Sequence, residues 1–469
     1  MKPTSRAFKD KAASALDDAG LQTALGILKE RFVTKRATAV AQLPEFEAMR
    51  QAAADIKDHT LAHLDHYLER FADKVAELGG QVHFCATAAE ARQTVVDICR
   101  QAGARTATKS KSMVTEEIAL NEALEAAGVT PVETDLGEYI IQLNRETPSH
   151  IIAPAVHKSR QDVADIFAEH HAGLGQHGPR EDIADLVAEA RTVLRQRYFA
   201  ADVGITGANV LIAETGQAVL VTNEGNADLT HTLPRTHIAV TGIEKLVPTL
   251  EDATALLRVL GRSATGQAMS TYTTLFAGPR RPGDTDGPDA FHVVLVDNGR
   301  SALLAPETRA LMRCIRCGAC MNHCPVYAGI GGHAYGWVYP GPVGAALNPA
   351  MIGLDEARHL PTASTLCGAC AAVCPVKIPL PDLFRHWRDQ AFARRLTPVG
   401  ERWGLKLWAG LAQRPWAYRR VVRLASGLLR WLAGRRGRLT RLPLAGGWTR
   451  ERDLPTPPAR SFMDQWRRR

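Results

Sequence analysis

Seven of the nine cysteines lie in two motifs whose spacing is that of metal ligands. The first motif is CxxCxxCxxxCP over residues 314–325, and the second is CxxCxxxCP over residues 367–375. Thiolates at these intervals hold the clusters of two-cluster ferredoxins, in which the cysteine before the proline ligates the other cluster. The spacing therefore predicts two [4Fe-4S] clusters, the first on Cys314, Cys317, Cys320 and Cys374 and the second on Cys324, Cys367 and Cys370.

Two other interpretations of these motifs are a zinc site and a purely structural cluster. Zinc ribbons also contain CxxC pairs, but they combine two pairs and lack a CxxCxxCxxxCP run. A structural cluster needs no neighbour, whereas electron relay requires two adjacent clusters. The paired motifs therefore favour electron transfer.

The second cluster has three predicted cysteine ligands, because Ser364 stands where a fourth cysteine would be. Its fourth corner has several candidate occupants. Ser364 could supply an alkoxide, another ligand such as His323 or His359 could bind, or the cluster could be a [3Fe-4S] form with no fourth metal. Iron counting and EPR would separate these alternatives.

The segment between the motifs, residues 329–349, is rich in glycine, proline and aromatic residues. Tyr335, Trp337 and Tyr339 are expected to shield a cluster from water. His333 is a candidate hydrogen-bond donor to a cluster, and a surface or core position is its plainer interpretation.

Length, charge and cysteine content limit the class of protein. The chain has 469 residues, 45% of them hydrophobic, which predicts a globular protein of several domains. Its first 20 residues lack the apolar stretch of a secretory signal, and no run of about 18 apolar residues occurs. These features predict a cytoplasmic protein whose cysteines are ligands or catalytic groups instead of disulfides.

The elements that must position the clusters follow from hydrophobic periodicity. Helices are predicted over residues 1–59, then strands alternate with helices over 60–300, which predicts an open, mostly parallel α/β sheet. A helical two-cluster ferredoxin domain over 301–392 and a basic helical tail over 393–469 follow. Strand-like runs lie at 81–86, 105–110, 130–134, 150–156, 217–222, 237–242 and 292–297.

Polar loops at the ends of these strands are candidate ligand sites, since open α/β sheets bind ligands beyond the carboxyl ends of their strands. One loop carries Lys109, Ser110, Lys111 and Ser112, whose hydroxyl and ammonium groups suit an anion. A second, near residues 221–226, carries Asn223 and Glu224. A solvated, capped loop and a simple glycine turn are the alternative interpretations.

The tail carries most of the positive charge of the chain. Residues 391–469 contain 19 Lys and Arg against 4 Asp and Glu, while the whole chain has a net charge of +8. Residues 417–433 form a basic amphipathic helix that could dock on an acidic protein or lie on an acidic membrane surface at the inner face. Trp403, Trp408 and Trp416 favour protein docking, and the charge distribution does not support nucleic-acid binding.

Several stretches together resemble the lactate utilisation protein B family, from about residue 40 to the C-terminus. They include KSKSMVTEEIALNEALE (109–125), GITGANVLIAETG (204–216), VLVTNEGN (219–226), GGHAYGWVYPGPVGA (331–345) and LCGACAAVCPVKIPLPDL (366–383). The resemblance implies a LUD domain similar to the NagB/RpiA/CoA-transferase α/β fold. It also implies a role in oxidising L-lactate to pyruvate, with a cysteine-rich partner protein and a second LUD-domain protein. The family too has three cysteines in its second motif.

Three functional hypotheses follow, and none assigns a catalytic residue. The first is an electron-transfer subunit of an L-lactate-oxidising complex or of another 2-hydroxy-acid dehydrogenase, because no GxGxxG fingerprint for a hydride-accepting cofactor occurs. The second is a carboxylate-binding module that senses redox state. The third is an enzyme in its own right, with Glu224 as the carboxylate of a transferase-like site.

Overall fold

A computed structural model of the chain describes residues 2–174, 182–442, 449 and 452–466. They form two compact units, Met1–Ala391 and Phe392–Arg469. The first unit contains the α/β sheet and both cysteine motifs.

Six parallel strands form the main sheet of the first unit. Its strand order is β1-β10-β7-β4-β2-β3, and every neighbouring pair runs parallel. The described part of this unit contains ten strands: β1 Gln81–Cys85, β2 Thr106–Lys109, β3 Thr130–Glu133, β4 Val203–Thr206, β5 Val210–Ile212, β6 Gln217–Thr222, β7 Thr236–Gly242, β8 Leu246–Val247, β9 Tyr272–Phe276 and β10 Ala290–Val296. The predicted mostly parallel α/β core is confirmed.

A second sheet, which the sequence did not predict, stands beside the first. It has the order β8-β5-β6-β9, with antiparallel pairing of β5 with β6 and of β6 with β9. The run 217–222 was expected in the main sheet and instead forms β6 of this second sheet.

Twelve helices accompany these strands in the described part of residues 1–300. They are α1 Phe8–Asp17, α2 Ala19–Ala41, α3 Phe46–Ala62, α4 Leu64–Glu77, α5 Ala88–Gln101, α6 Met113–Glu117, α7 Leu120–Ala126, α8 Leu136–Leu143, α9 Arg160–His171, α10 Ile183–Ala200, α11 Asn226–Thr232 and α12 Leu250–Ala264. Helix starts follow the local sequence: Thr87 accepts a hydrogen bond from Glu90 N at the start of α5, and Asp135 caps α8.

Both faces of the main sheet are buried, as expected for a parallel sheet covered by helices. On β10, Val293 and Leu295 belong to one hydrophobic core, and Val294 and Val296 belong to the core on the other face. Successive residues of a strand point to opposite faces, so an unbroken apolar run serves both cores.

The strand predicted at residues 150–156 is wrong, because this segment forms turns. The Nδ1 atom of buried His150 accepts hydrogen bonds from Ile152 N and Ala153 N at 3.1 and 3.2 Å. Pro154 has no backbone N–H for a strand ladder. The segment instead carries Ile151 and Ile152 to the wall of a cavity.

The predicted N-terminal helices cover the segment between the cysteine motifs. Thr4 N donates to the carbonyl of Gly336 at 2.7 Å, and Ser5 Oγ donates to the carbonyl of Tyr335 at 3.1 Å. The ring of Phe8 packs edge-on against Tyr335 at 5.6 Å. Their role is therefore at least partly to cover this chain's own cysteine region.

Residues 301–391, all of which the structure describes, contain helices and turns without a strand. Their α-helices are α13 Ala319–Asn322, α14 Tyr327–Ile330, α15 Gly341–Met351, α16 Leu354–Ala357, α17 Ala369–Ala372 and α18 Leu380–Ala393. The predicted helical region after the α/β sheet is confirmed.

The second unit consists mainly of two helices, α19 Val399–Ala412 and α20 Pro415–Ala433. A two-residue strand pair, Arg438–Leu439 with Leu454–Pro455, and a last helix α21 Phe462–Trp466 follow. Many large apolar side chains of α19 and α20 are exposed, among them Trp403, Trp408, Trp416 and Trp431. No helix in the described ranges is long and apolar enough to cross a bilayer.

Candidate metal centre and adjoining cavity

The two cysteine motifs share one local backbone conformation. Arg316 and Leu366, each immediately before a CGAC sequence, have φ values of 59° and 56°. The glycines of those sequences, Gly318 and Gly368, have φ values of 73° and 81°. Left-handed non-glycine residues are uncommon, so their matching positions mark the motifs as structural repeats.

The first group of cysteines draws on both motifs. Burial is the largest cause that raises the pKa of Cys317 to about 12, and the neighbouring thiolates of Cys374 and Cys314 add to it. Burial, followed by Cys317, Cys314 and Cys374, raises the pKa of Cys320 well above its ordinary value. These four sulfurs therefore share one electrostatic neighbourhood, although Cys374 belongs to the second motif.

The second group of cysteines also draws on both motifs. Burial, followed by Cys324 and then Cys367, raises the pKa of Cys370 to about 11. Burial and Cys367 likewise raise the pKa of Cys324. Cys324 comes from the first motif, so each motif contributes its last cysteine to the other group.

The cysteines that precede the prolines also receive backbone hydrogen bonds. Tyr327 N donates to Cys324 Sγ at 3.5 Å, and Ile378 N donates to Cys374 Sγ at 3.4 Å. Donors of this kind stabilise negative charge on sulfur and tune the potential of a bound cluster. The arrangement fits thiolate ligands.

Arginines from three helices fix the second motif. Arg50 of α3 donates to the carbonyl of Cys374 at 2.6 and 3.0 Å, and Arg36 of α2 donates to that of Val373 at 3.1 Å. Arg388 of α18 donates to the carbonyl of Ser364 at 3.2 Å. The backbone is therefore held from both sides of the motif.

Ser364 lines a small cavity together with Cys324, Cys367 and Cys370. Its Oγ accepts a hydrogen bond from Leu366 N at 3.1 Å. His323 and His359 do not line this cavity, and His323 Nδ1 lies 2.9 Å from the carbonyl of Ala319. Of the three candidate side chains, Ser364 is the one that faces the second cysteine group.

The aromatic residues between the motifs are buried. Burial is the largest cause that raises the pKa of Tyr335 well above its ordinary value, and the thiolates of Cys324, Cys320 and Cys370 add to it. Tyr335 therefore lies near both cysteine groups, a position suited to excluding water. His333, by contrast, is exposed and lies 2.7 Å from the carbonyl of Thr147 through Nε2.

A cavity of about 220 Å³ opens beyond the ends of β2, β4 and β6. Five of the six predicted anion-site residues line it: Ser110, Lys111, Ser112, Asn223 and Glu224. Lys109 is fully buried instead, with its Nζ 2.7 Å from Glu133 and 3.1 Å from Glu116. These carboxylates outweigh the effect of burial and raise the pKa of Lys109.

The cavity also contains two cations that the sequence interpretation missed. Lys245, which follows β7, is 8% exposed, and its ammonium group forms no hydrogen bond or ion pair within the described ranges. Burial lowers its pKa to about 8, opposed in part by Glu244. Arg316 reaches the cavity from the first cysteine motif. No local pattern marks either residue, because each arrives by tertiary packing.

A buried charge network joins the α/β part to the first cysteine motif. Arg300 binds Glu117 through Nη1 and Nη2 at 2.9 and 2.8 Å, and Glu244 through Nε at 2.8 Å. Arg316 lies 3.2 Å from Glu244 and stacks 4.7 Å from the ring centroid of Tyr339. Tyr339 in turn donates to Glu117 at 2.6 Å.

Comparison with known families matches three consecutive parts of the chain. A model described as LUD domain matches residues 68–296, one described as 4Fe-4S dicluster domain matches residues 310–378, and one described as Lactate utilisation protein B, C-terminal matches residues 393–469. The class is thus an iron-sulfur protein with an N-terminal LUD domain. This agrees with the iron-sulfur interpretation of the cysteine spacing.

Relatives over the full length define the family. Proteins named Lactate utilization protein B are 42% identical in Bacillus licheniformis, over 99% of this chain and 97% of theirs, and 43% identical in Geobacillus thermodenitrificans, over 100% and 98%. The chain belongs to the lactate utilisation protein B family. A crystal structure of a DUF162 family protein from Deinococcus radiodurans covers 50% of this chain and 98% of its own, at 16% identity and a TM-score of 0.27.

Proposed function

We propose that this chain is the iron-sulfur electron-transfer component of a cytoplasmic multi-protein system that oxidises L-lactate to pyruvate. One observation carries the proposal: the cavity adjoins the first cysteine group. The thiolate of Cys314 acts on the pKa of both Arg316 and Lys245, which line the cavity. A ligand in the cavity would therefore lie beside a redox centre.

The ligands of the proposal are the two cysteine groups. Cys314, Cys317, Cys320 and Cys374 would hold the first [4Fe-4S] cluster. Cys324, Cys367 and Cys370 would hold the second, with Ser364 as its candidate fourth ligand or with a [3Fe-4S] form in its place. The mutual interactions of the thiolates and the match to a dicluster model support this assignment.

Bound at these cysteines, the clusters would supply one-electron acceptance and release. The residues of the chain position and insulate that chemistry. Tyr335 and the N-terminal helices keep water away from the cysteine groups, and Arg316 connects the first group to the cavity wall. Removal of two electrons and two protons from lactate would take place with a partner that holds a two-electron acceptor.

The partners in the proposal are the cysteine-rich protein and the second LUD-domain protein of the system. The basic tail would dock on an acidic partner surface. Its exposed tryptophans and the 19 basic residues of 391–469 support docking. Binding to acidic lipid vesicles but not to the partners would instead assign the tail to a membrane surface.

The test is lactate-driven reduction of the reconstituted protein under anaerobic conditions. With both partners present, L-lactate should bleach the visible cluster absorbance, and omission of either partner should prevent it. Turnover of lactate by the isolated chain would overturn the assignment to electron transfer. Lactate binding without any bleaching in the complete system would favour the redox-sensing alternative.

A further inference from the structure

We infer that the cavity between the LUD-domain strands and Arg316 binds a small 2-hydroxy monocarboxylate, whose carboxylate pairs with Lys245. This inference rests on the proposed function, because it assigns substrate recognition to this chain instead of to a partner. It also names the residue responsible.

Lys245 differs from the other buried lysines of the α/β part. Lys109 pairs with Glu133 and Glu116, and Lys57 donates to the backbone carbonyls of Glu244 and Leu246. Lys245 has no such partner in the described ranges, although it is 8% exposed. Burying an unpaired ammonium is costly, so its retention at a cavity wall indicates an anionic ligand.

A second buried polar group faces the same space. Ser110 is 2% exposed, lines the cavity, and its Oγ has no hydrogen-bond partner among the residues that the structure describes. Buried hydroxyls are normally satisfied, so an unsatisfied one at a cavity wall is a candidate ligand contact. Two independent groups therefore indicate that this space is built to be occupied.

The charges of the cavity select the class of ligand. Lys111 and Lys245 are cationic, Arg316 is already paired with Glu244, and Asp135 and Glu224 are carboxylates on the same wall. Both carboxylates would repel the second negative charge of a phosphate dianion. A monocarboxylate has a single charge, which Lys245 can neutralise, so it avoids this repulsion. A hydroxyl on the neighbouring carbon can donate to a carboxylate, and this donor distinguishes 2-hydroxy acids from acetate and from 2-oxo acids.

The position of Lys245 also explains how a ligand bound in the cavity would affect the first cluster. Cys314 is among the charges that act on Lys245, so neutralising the ammonium with a bound carboxylate changes the field at that thiolate. Charge and hydrogen bonding around the sulfurs set the properties of a cluster. Ligand binding should therefore change the EPR signal of the first cluster in the absence of any turnover.

Calorimetric titration of the reconstituted full-length chain, without partners, tests the inference. L-Lactate should bind more tightly than pyruvate, acetate or inorganic phosphate. Lys245→Met should weaken lactate binding by about tenfold to hundredfold, the range expected for one charge-assisted hydrogen bond. The matched control is Lys29→Met, which replaces an exposed lysine of α2 and should leave binding unchanged.

A stability measurement separates binding from folding. Because Lys245 is buried and has no partner in the described part of the chain, Lys245→Met should melt at the same temperature as the parent protein or higher. Lys245→Arg should retain part of the binding. Glu224→Gln, at the exposed rim of the cavity, should reduce the preference for lactate over acetate. Unchanged lactate binding in Lys245→Met, or phosphate binding more tightly than lactate, would overturn the inference.

The outcomes also separate this inference from the proposed function. Lactate binding that depends on Lys245, with no electron flow in the complete system, would keep the site and refute the electron-transfer role. Lactate-driven bleaching that is unaffected by Lys245→Met would keep the role and refute the site.

Discussion

Replacing Arg300 with methionine should strongly destabilise the first unit, because buried Glu117 would lose its counter-charge and buried Glu244 would keep only Arg316. Arg300 is 1% exposed and pairs with Glu117 and Glu244, both of which are also buried. Removing one partner of a buried ion pair costs about 3–5 kcal/mol. Arg300→Met should therefore lower the free energy of unfolding by about that amount.

The pKa of Glu244 gives a second route to the magnitude. Burial alone would raise this pKa, but Arg300 and Arg316 outweigh it and lower the pKa to about 2. Relative to an ordinary glutamate pKa of about 4.3, this corresponds to about 3 kcal/mol of stabilisation at neutral pH. This stabilisation agrees with the cost of about 3–5 kcal/mol for removing one partner of a buried ion pair, although Arg316 supplies part of the stabilisation of Glu244.

The sign of the pH dependence follows from the lowered pKa. Stabilisation by ionised Glu244 is complete above the ordinary glutamate pKa and is lost as the pH falls from about 4.5 toward about 2. The difference in stability between the parent protein and Arg300→Met should therefore be largest near neutral pH. It should narrow as the pH falls, because burial raises the pKa of carboxylates that have lost Arg300, and their protonation in the variant offsets part of its loss.

Urea denaturation under anaerobic conditions, followed by far-UV circular dichroism, measures this effect. The matched control is Arg280→Met, which breaks a half-exposed ion pair with Asp289 at 2.7 Å and should cost at most about 1 kcal/mol. Adding Glu117→Gln to Arg300→Met should recover part of the loss, since Glu244 retains Arg316. The reasoning would be refuted if Arg300→Met were no less stable than the control.

Three further predictions concern the clusters and the tail. Cys374→Ala should remove about half of the iron and abolish the EPR signal of the first cluster, whereas Cys324→Ala should abolish the EPR signal of the second cluster. If both variants lost the same signal, the last cysteine of each motif would not ligate the cluster of the other motif. Ser364→Cys should lower the reduction potential of the second cluster if that corner has no anionic ligand, and an unchanged potential would indicate that Ser364 already binds as an alkoxide. Replacing Arg419 and Arg420 with glutamate should prevent co-purification with the partners while leaving the cluster absorbance intact, and retained co-purification would exclude the tail as the docking surface.

Six strands of the structure were predictable because local sequence determines them. Runs such as 237–242 and 292–297 are apolar and bounded by turn residues, so they became β7 and β10. β5 and β8 have three and two residues, too few for a periodic signal. β9 pairs with β6 across 50 residues or more, and such non-local pairing leaves no local pattern.

The candidate site likewise contains residues that local sequence predicts and residues that it does not predict. Cysteine spacing is itself the constraint for cluster ligation, so the sequence alone predicts the two ligand sets, and they stay a prediction. Lys109 lies beside Lys111 in the sequence but at the end of a central strand, where Glu133 of the neighbouring strand pairs with it. Lys245 and Arg316 reach the cavity only through the packing of distant segments, which no local pattern encodes.

Ser364 occupies the position in the second motif that Cys314 occupies in the first, and the two motifs share their backbone conformation nearby. Arg316 and Leu366 match in their left-handed conformation, as do Gly318 and Gly368, so the second motif keeps the backbone conformation of the first close to position 364. Arg388 also holds the carbonyl of Ser364 in place. Cys367 of the same group is exposed, whereas the first group adjoins the cavity wall through Arg316. In a relay from cavity to surface, the missing thiolate would therefore alter the cluster that releases electrons, and Ser364→Cys should change transfer to the acceptor more than reduction by lactate.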